Sequence, residues 1–524
     1  MQFVFLAFFA LISLPGFSQA INVQHYRFEI KLSDDNDKIN CRATIALSFP
    51  QSMKDFSLDL VQTKGNGKGM KVEEVRGKNV NSFQQVNDKI QIQLKNTSLK
   101  ETKDTFEIIY SGIPSDGLII SKNKFGDRTF FSDNWPNRAR HWIPCNDVPD
   151  DKASVEFIVT APAYYQVVSN GVQVEETNLD KKQKLTHWRE PTPISTKIMV
   201  IGVAQFAVGW LDGQYAVPVT AWVYPQNREK GFFDYSVAGD ILRFFTQYIG
   251  PFPFQKLANV QSTTIFGGME NAGAIFYDER AIDGKRTSEP TVAHEIAHQW
   301  FGDMATEKSF AHLWLSEGFA TYLTNIYWEQ KYGKAEANKQ LLEEKEKVIA
   351  FAHINNHAVV DSLSDLMDLL NANSYQKGGW VLHMLRGEVG NATFQKIIQD
   401  YYQQYKGGNA DTRDFQNVVE KVTGKKLDWF FNQWLYQPGI PKINAQWKMQ
   451  GNQVAITIQQ TGKNVFQFPL TVGYYSAGGK MQTKKMNITK ATETFMLCIN
   501  TKPVKLVLDP FVELLFEGNI SESK

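Results

Sequence analysis

Residues 291–302 read TVAHEIAHQWFG and place two histidines, His294 and His298, four positions apart with Glu295 between them. On a helix, positions i and i+4 share one face about a turn apart. Both imidazoles can therefore reach one cation while Glu295 projects nearby. Helix signals flank the pattern: Ser288 can cap it, Pro290 sits in its first turn and Gly302 follows its end. A further acid, Glu317, lies in WLSEGFATY at residues 314–322, in the first turn of a second helix that Ser316 caps and Gly333 closes. Eighteen residues separate His298 from Glu317, enough for the second helix to return across the first. Catalytic zinc is held by three protein side chains and keeps its fourth position for water. Two imidazoles and a carboxylate suit that ion. His294, His298 and Glu317 are therefore read as ligands of one Zn2+ per chain. Glu295 is read as an adjacent base that is not a ligand. The competing reading is a surface helix with satisfied histidines, with Glu317 as a carboxylate favoured by a helix N-terminus. His312 fits no ligand spacing and is read as structural.

The elements that must position these residues change in texture along the chain. From residue 21 to about 205, apolar residues alternate, as in Tyr26-Phe28-Ile30-Leu32, Ile39-Cys41-Ala43-Ile45-Leu47-Phe49 and Ile90-Ile92-Leu94. Period-two alternation marks strands with one face buried. Residues 206–440 show apolar spacings of three and four, as in Phe319-Leu323-Ile326 and Phe415-Val418-Val419-Val422, with glycine stops at Gly333 and Gly424. After the turn-rich stretch that ends at Pro441, residues 441–524 return to short strands and predict a small β-sandwich.

The 524 residues are too many for one core, so several domains are expected. Basic and acidic residues number 56 and 55, a balance that argues against nucleic acid as the main partner. Cys41, Cys145 and Cys498 have no metal-ligand or CxxC spacing and read as isolated buried thiols, with one disulfide as the alternative in an exported chain. Residues 1–20, MQFVFLAFFALISLPGFSQA, carry an apolar run and a small-x-small sequence before Ile21. They read as a signal peptide, although no Lys or Arg precedes the run, and they predict a secreted or periplasmic protein. About 14 apolar residues are short for a membrane span, so no stable span is expected once the leader is removed.

With the pentad and Glu317 in place, two further segments carry a resemblance. Gly267-Gly268-Met269-Glu270-Asn271 is similar to the GxMEN exopeptidase motif of the aminopeptidase N family of gluzincin zinc metallopeptidases, which includes leukotriene hydrolase. Asn373-Ser374-Tyr375-Gln376-Lys377-Gly378 is similar to that family's catalytic-tyrosine region. The resemblance implies a multi-domain α+β architecture: an N-terminal β domain (21–205), a thermolysin-like, mostly helical zinc catalytic domain (206–440) and a C-terminal β-sandwich (441–524). The chain stops at Lys524, before the large helical domain that many members add. The implied activity is removal of N-terminal residues from peptides with a free N-terminus. Glu295 would be the general base and Tyr375 a hydrogen-bond donor to the oxyanion. Glu270 would bind the substrate amine, Gly267 and Gly268 would allow close backbone approach, and Met269 and Asn271 would shape the same edge. The family usually adds a second amine-binding residue from the N-terminal domain. If Arg140 aligns with the family's arginine, Trp135 takes that residue's place. Asp133 could then supply the missing charge, Trp135 could line an apolar pocket, or either could be a turn residue. The rivals are a gluzincin endopeptidase, which would cleave N-blocked peptides, and a scaffold with a vestigial site, which the intact set of His294, Glu295, His298, Glu317 and Tyr375 disfavours.

Overall fold

The strand Asn22–Lys31 buries Tyr26, Phe28 and Ile30 and turns its alternate residues outward, as its pattern predicts. It lies near the middle of a seven-stranded sheet, parallel to Ala153–Pro162 on one side and antiparallel to Ile39–Ser48 on the other. The computed structural model describes residues 21–476, 478–499 and 502–523. The signal-peptide reading falls on residues 1–20 and lies outside them. Two smaller sheets flank the large one. One of these holds the strand Arg128–Ser132, paired on both sides, which delivers the loop carrying Asp133 and Trp135.

Sheet membership changes after Ile201–Ala204. The next strand, Ala207–Trp210, is the edge of a five-stranded sheet whose spatial order continues Val219–Val223, Leu257–Ser262, Ala274–Asp278 and Gly268–Met269. The last of these is the GGMEN segment, paired antiparallel to Ala274–Asp278 through Gly268–Tyr277 and Met269–Phe276.

The helical region then supplies α1 (Glu289–His298), α2 (Trp314–Tyr332), α3 (Lys334–Ile354) and α4 (Gly378–Val389). Every residue of α2 from Trp314 to Tyr327 is buried, so this helix is hidden on all sides and forms the centre of the layer. Gly333 closes it with φ +88°. The predicted helix around Phe415 spans Thr412–Thr423, ends at a left-handed Gly424, and starts in a capping box between Asp411 and Asp414.

Strands from Lys442 onward form a four-stranded and a three-stranded sheet. They meet the helices through apolar packing, with the ring centres of Trp434 and Phe466 5.2 Å apart, and through polar contacts. The Gln433 side chain exchanges hydrogen bonds of 2.7 and 2.8 Å with the Gln467 backbone. Lys345 lies 3.6 Å from the Phe516 ring centre. The architecture is therefore multi-domain α+β, with an N-terminal β region, a helical centre and C-terminal strands. No helix among the described residues is long and apolar enough to cross a membrane. Cys41 and Cys145 are buried free thiols, but Cys498 is exposed, because its edge strand turns that position to solvent.

Candidate active site

Helix α1 begins with Glu289 and Pro290 and has His298 as its last residue. Ser288 precedes it without making a side-chain cap. The chain then turns back, and the Phe301 carbonyl accepts from Nδ1 of His298 at 3.1 Å. A carbonyl only accepts, so this contact puts the proton on Nδ1 and leaves Nε2 as a lone-pair donor. Helix α2 packs across α1 and carries Glu317 in its first turn. Ser316 is not the cap of α2, as the sequence suggested, because the helix already starts at Trp314. Its hydroxyl instead sits 3.1 Å from Nδ1 of His298.

These turns bring three donor atoms together. Nε2 of His294 and Nε2 of His298 are 3.0 Å apart, and each is 3.2 Å from Oε2 of Glu317. An ion at about 2.0–2.1 Å from tetrahedrally arranged ligands needs them roughly 3.3 Å apart. The triangle therefore fits one small divalent cation, and it is the group of described residues that could hold a metal. Its electrostatics agree. Burial opposes the charge on His298, but the carboxylates of Glu317, Glu270 and Glu295 override it and hold the imidazole up at about 10. Burial also opposes the charge on Glu317, yet His298 and His294 keep it well below the usual carboxylate range. A bound cation would take over the role of the proton shared within this triangle.

The donors open onto a cavity of about 540 Å³, which Glu295, Glu270 and Tyr375 also line. Glu295 is not part of the donor triangle. Burial drives its carboxyl well above the ordinary value, and the nearby charges of Glu270 and Glu317 push the same way. Gly267, Gly268 and Met269 line the cavity as well. A Cβ on Gly268 would lie 2.3 Å from Oε1 of Glu295, so only glycine lets this strand approach that carboxyl. Glu270 is 5% exposed, and its Oε1 has no hydrogen-bond partner among the described residues. Asn271 does not line the cavity: it is fully buried, with both amide atoms unpaired among the described residues.

Tyr375 sits in a short π-helical turn, Asn373–Lys377, that runs into α4. Such one-turn irregularities are frequent at functional sites. Its ring stacks on His294 at 5.9 Å with planes 16° apart. Gly318 and Gly378 permit this placement, since a Cβ on Gly318 would lie 2.9 Å from the Gly378 backbone. Two backbones touch there, and Tyr375 arrives beside Glu317 as a result. Burial and the surrounding carboxylates push the phenol far up, so it remains a proton donor.

Asp133 does not take the place of an amine partner at the cavity. It is fully buried and absent from the cavity lining. Its Oδ1 accepts from Arg138 at 2.6 Å, and its Oδ2 accepts from the Thr264 hydroxyl at 2.9 Å and from the Ile265 N–H at 3.2 Å. Both oxygens are engaged within the protein, so the carboxylate holds the loop at Thr264 and Ile265, and its full burial keeps it from a substrate in the cavity. Trp135 lines the cavity instead, edge-on to Phe266 and Phe310 at 6.0 and 5.8 Å. His312 bonds the Thr412 hydroxyl at 2.9 Å, away from the donors. The residue that the sequence reading passed over is Gln299, fully buried directly after His298.

Comparison with known proteins agrees with this fold. Residues 22–198 match the model of the peptidase M1 N-terminal domain, and residues 233–434 match that of the peptidase family M1 domain. The chain belongs to peptidase family M1. Among its relatives, a probable aminopeptidase 1 of Sulfurisphaera tokodaii is 24% identical across 98% of this chain and 65% of its own length. A probable aminopeptidase 2 of the same organism is 30% identical across 64% of this chain and 45% of its own length. The glutamyl aminopeptidase of Rattus norvegicus is 25% identical across 88% of this chain and 51% of its own length. The chain thus spans roughly half to two thirds of the lengths of these relatives.

Proposed function

We propose that the chain is a zinc-dependent aminopeptidase that removes the first residue of peptides with a free N-terminus. The observation that carries this reading is the buried carboxylate of Glu270, its Oε1 without a hydrogen-bond partner among the described residues, in the same cavity as the His294–His298–Glu317 triangle. A buried carboxylate demands a charged partner, and the ammonium of a free N-terminus is one. An internal peptide group cannot supply it. The donor set of two imidazoles and one carboxylate suits zinc above magnesium or calcium. When bound, zinc supplies Lewis acidity, acidifying a water and polarising the scissile carbonyl.

The chain's own groups do the rest. Glu270 binds the ammonium and sets which carbonyl reaches the donors. Glu295 accepts a proton from the attacking water and passes one to the leaving amine. Tyr375 donates its phenolic proton in a hydrogen bond to the developing oxyanion.

Glu270→Gln keeps the volume of the side chain and removes its charge. A charge-assisted hydrogen bond is worth about 1.5–3 kcal/mol. The variant should therefore lose about 10- to 100-fold in kcat/KM on leucyl-arylamide, mostly through KM. Steady-state kinetics that match the wild type would remove Glu270 from the amine site.

A further inference from the structure

Gln299 uses its amide at both ends. Its Oε1 accepts from the Gly273 N–H at 2.8 Å, while its Nε2 donates to the Glu270 carbonyl at 2.6 Å and to Oδ2 of Asp303 at 2.9 Å. One side chain thus grips both ends of the segment 270–273, and it is peptide-bonded to His298. Two other buried side chains hold the far end of this segment. Asn170 donates to the Ala272 carbonyl at 2.9 Å, and Lys256 donates to the Gly273 carbonyl at 2.9 Å. At the Glu270 peptide itself, Gln299 is the side chain that bonds among the described residues.

We propose that Gln299 is a positioning residue that fixes the span between the amine anchor Glu270 and the metal ligand His298, and so limits cleavage to one residue from the N-terminus. The inference rests on the aminopeptidase reading above. Its physical basis is that an exopeptidase must hold the ammonium and the scissile carbonyl one residue apart. One residue advances a chain by about 3.8 Å, and a misplacement of about 1 Å can cost about 100-fold. The anchor strand and the metal helix come from different elements, a sheet edge and α1. A rigid, fully satisfied buried amide between them keeps that distance constant. Ionised glutamate could still accept from Gly273 but could not donate to the Glu270 carbonyl. Methionine fills the volume and does neither.

The test uses the full chain loaded with zinc, in the variants Gln299→Met and Gln299→Glu. Bound zinc, KM and kcat on leucyl-arylamide, and the rate ratio for a leucine-headed peptide over its N-acetylated form are measured. The expected result is zinc retained at one equivalent, KM raised at least tenfold with a smaller change in kcat, and the free-to-acetylated ratio reduced at least tenfold. Asn170→Ala, which loosens Ala272 but not the Glu270 peptide, should move the ratio much less. Should Gln299→Met not fold, Gln299→Glu decides on the same readouts. A ratio and KM that stay at wild-type values overturn the inference. So does loss of zinc or kcat with KM intact, which would make Gln299 a support of His298 alone. A wild-type chain that cleaves both peptides alike overturns the aminopeptidase reading and this inference with it, whereas a preference that survives in Gln299→Met overturns the inference alone.

Discussion

Glu295→Gln should lower kcat/KM on leucyl-arylamide by about 10²–10⁴-fold, the range general-base catalysis supplies, while the chain still binds one zinc. The second half of that expectation follows from geometry. The metal triangle consists of His294, His298 and Glu317, and Glu295 stands outside it. Glutamine fills the same space beside Gly268, whose missing Cβ already makes room for this side chain. Stability should not fall either. Burial drives the Glu295 carboxyl well above its ordinary value, so the fold favours the neutral acid, which a neutral amide resembles. The pH profile gives the sign. The base must be ionised to accept a proton, so wild-type kcat/KM rises with pH along an acid limb, and the residual activity of Glu295→Gln should lack the limb that belongs to it. Metal analysis with a pH–rate profile checks all three points. A variant that keeps wild-type activity would remove Glu295 from proton transfer, and one that loses its zinc would make it a ligand.

The second large effect belongs to Tyr375. Tyr375→Phe keeps the ring that stacks on His294 and removes only the hydroxyl. Losing one oxyanion donor costs about 2.7–4 kcal/mol, or about 10²–10³-fold in kcat. KM should change little, because the hydrogen bond matters most once charge develops on the oxygen. The raised phenol makes this a test of donation and not of ionisation, since the group holds its proton across the working pH range. Equal kcat for the two proteins would make Tyr375 a packing residue.

Local patterns in the sequence carried much of this site, and long-range contacts carried the remainder. Helical spacing alone puts His294 and His298 on one face, and their Nε2 atoms lie 3.0 Å apart. Strand alternation in Tyr26-Phe28-Ile30-Leu32 matches the buried face of the large sheet. It says nothing about pairing with Ala153–Pro162, because strand order is set by contacts far apart in the chain. Asp133 and Trp135 sit two residues apart in a loop without period, so no pattern assigns one of them to the cavity. The decision comes from Arg138, Thr264 and Ile265, which occupy the Asp133 carboxylate. Ser316 looked like a cap because helix starts are recognised by residue type, whereas the helix starts three residues earlier, at Trp314, with Leu313 in the cap position. The contact between Gly318 and Gly378, which seats Tyr375, joins two glycines that are unremarkable in isolation. Gln299 was invisible for a related reason: its three partners lie on two other segments.

The central claim is that one metal and one amine anchor act in the same cavity on a free N-terminus. A metal-free chain titrated with zinc, and assayed on a leucine-headed peptide and on its N-acetylated form, tests it most directly. Leucine suits the apolar side of the cavity that Trp135, Phe266, Met269 and Leu370 provide. The predicted result is release of the first residue that saturates at one equivalent of zinc, with the acetylated peptide cleaved at least about tenfold more slowly. Equal cleavage of the two peptides, or activity that persists without metal, would contradict the account.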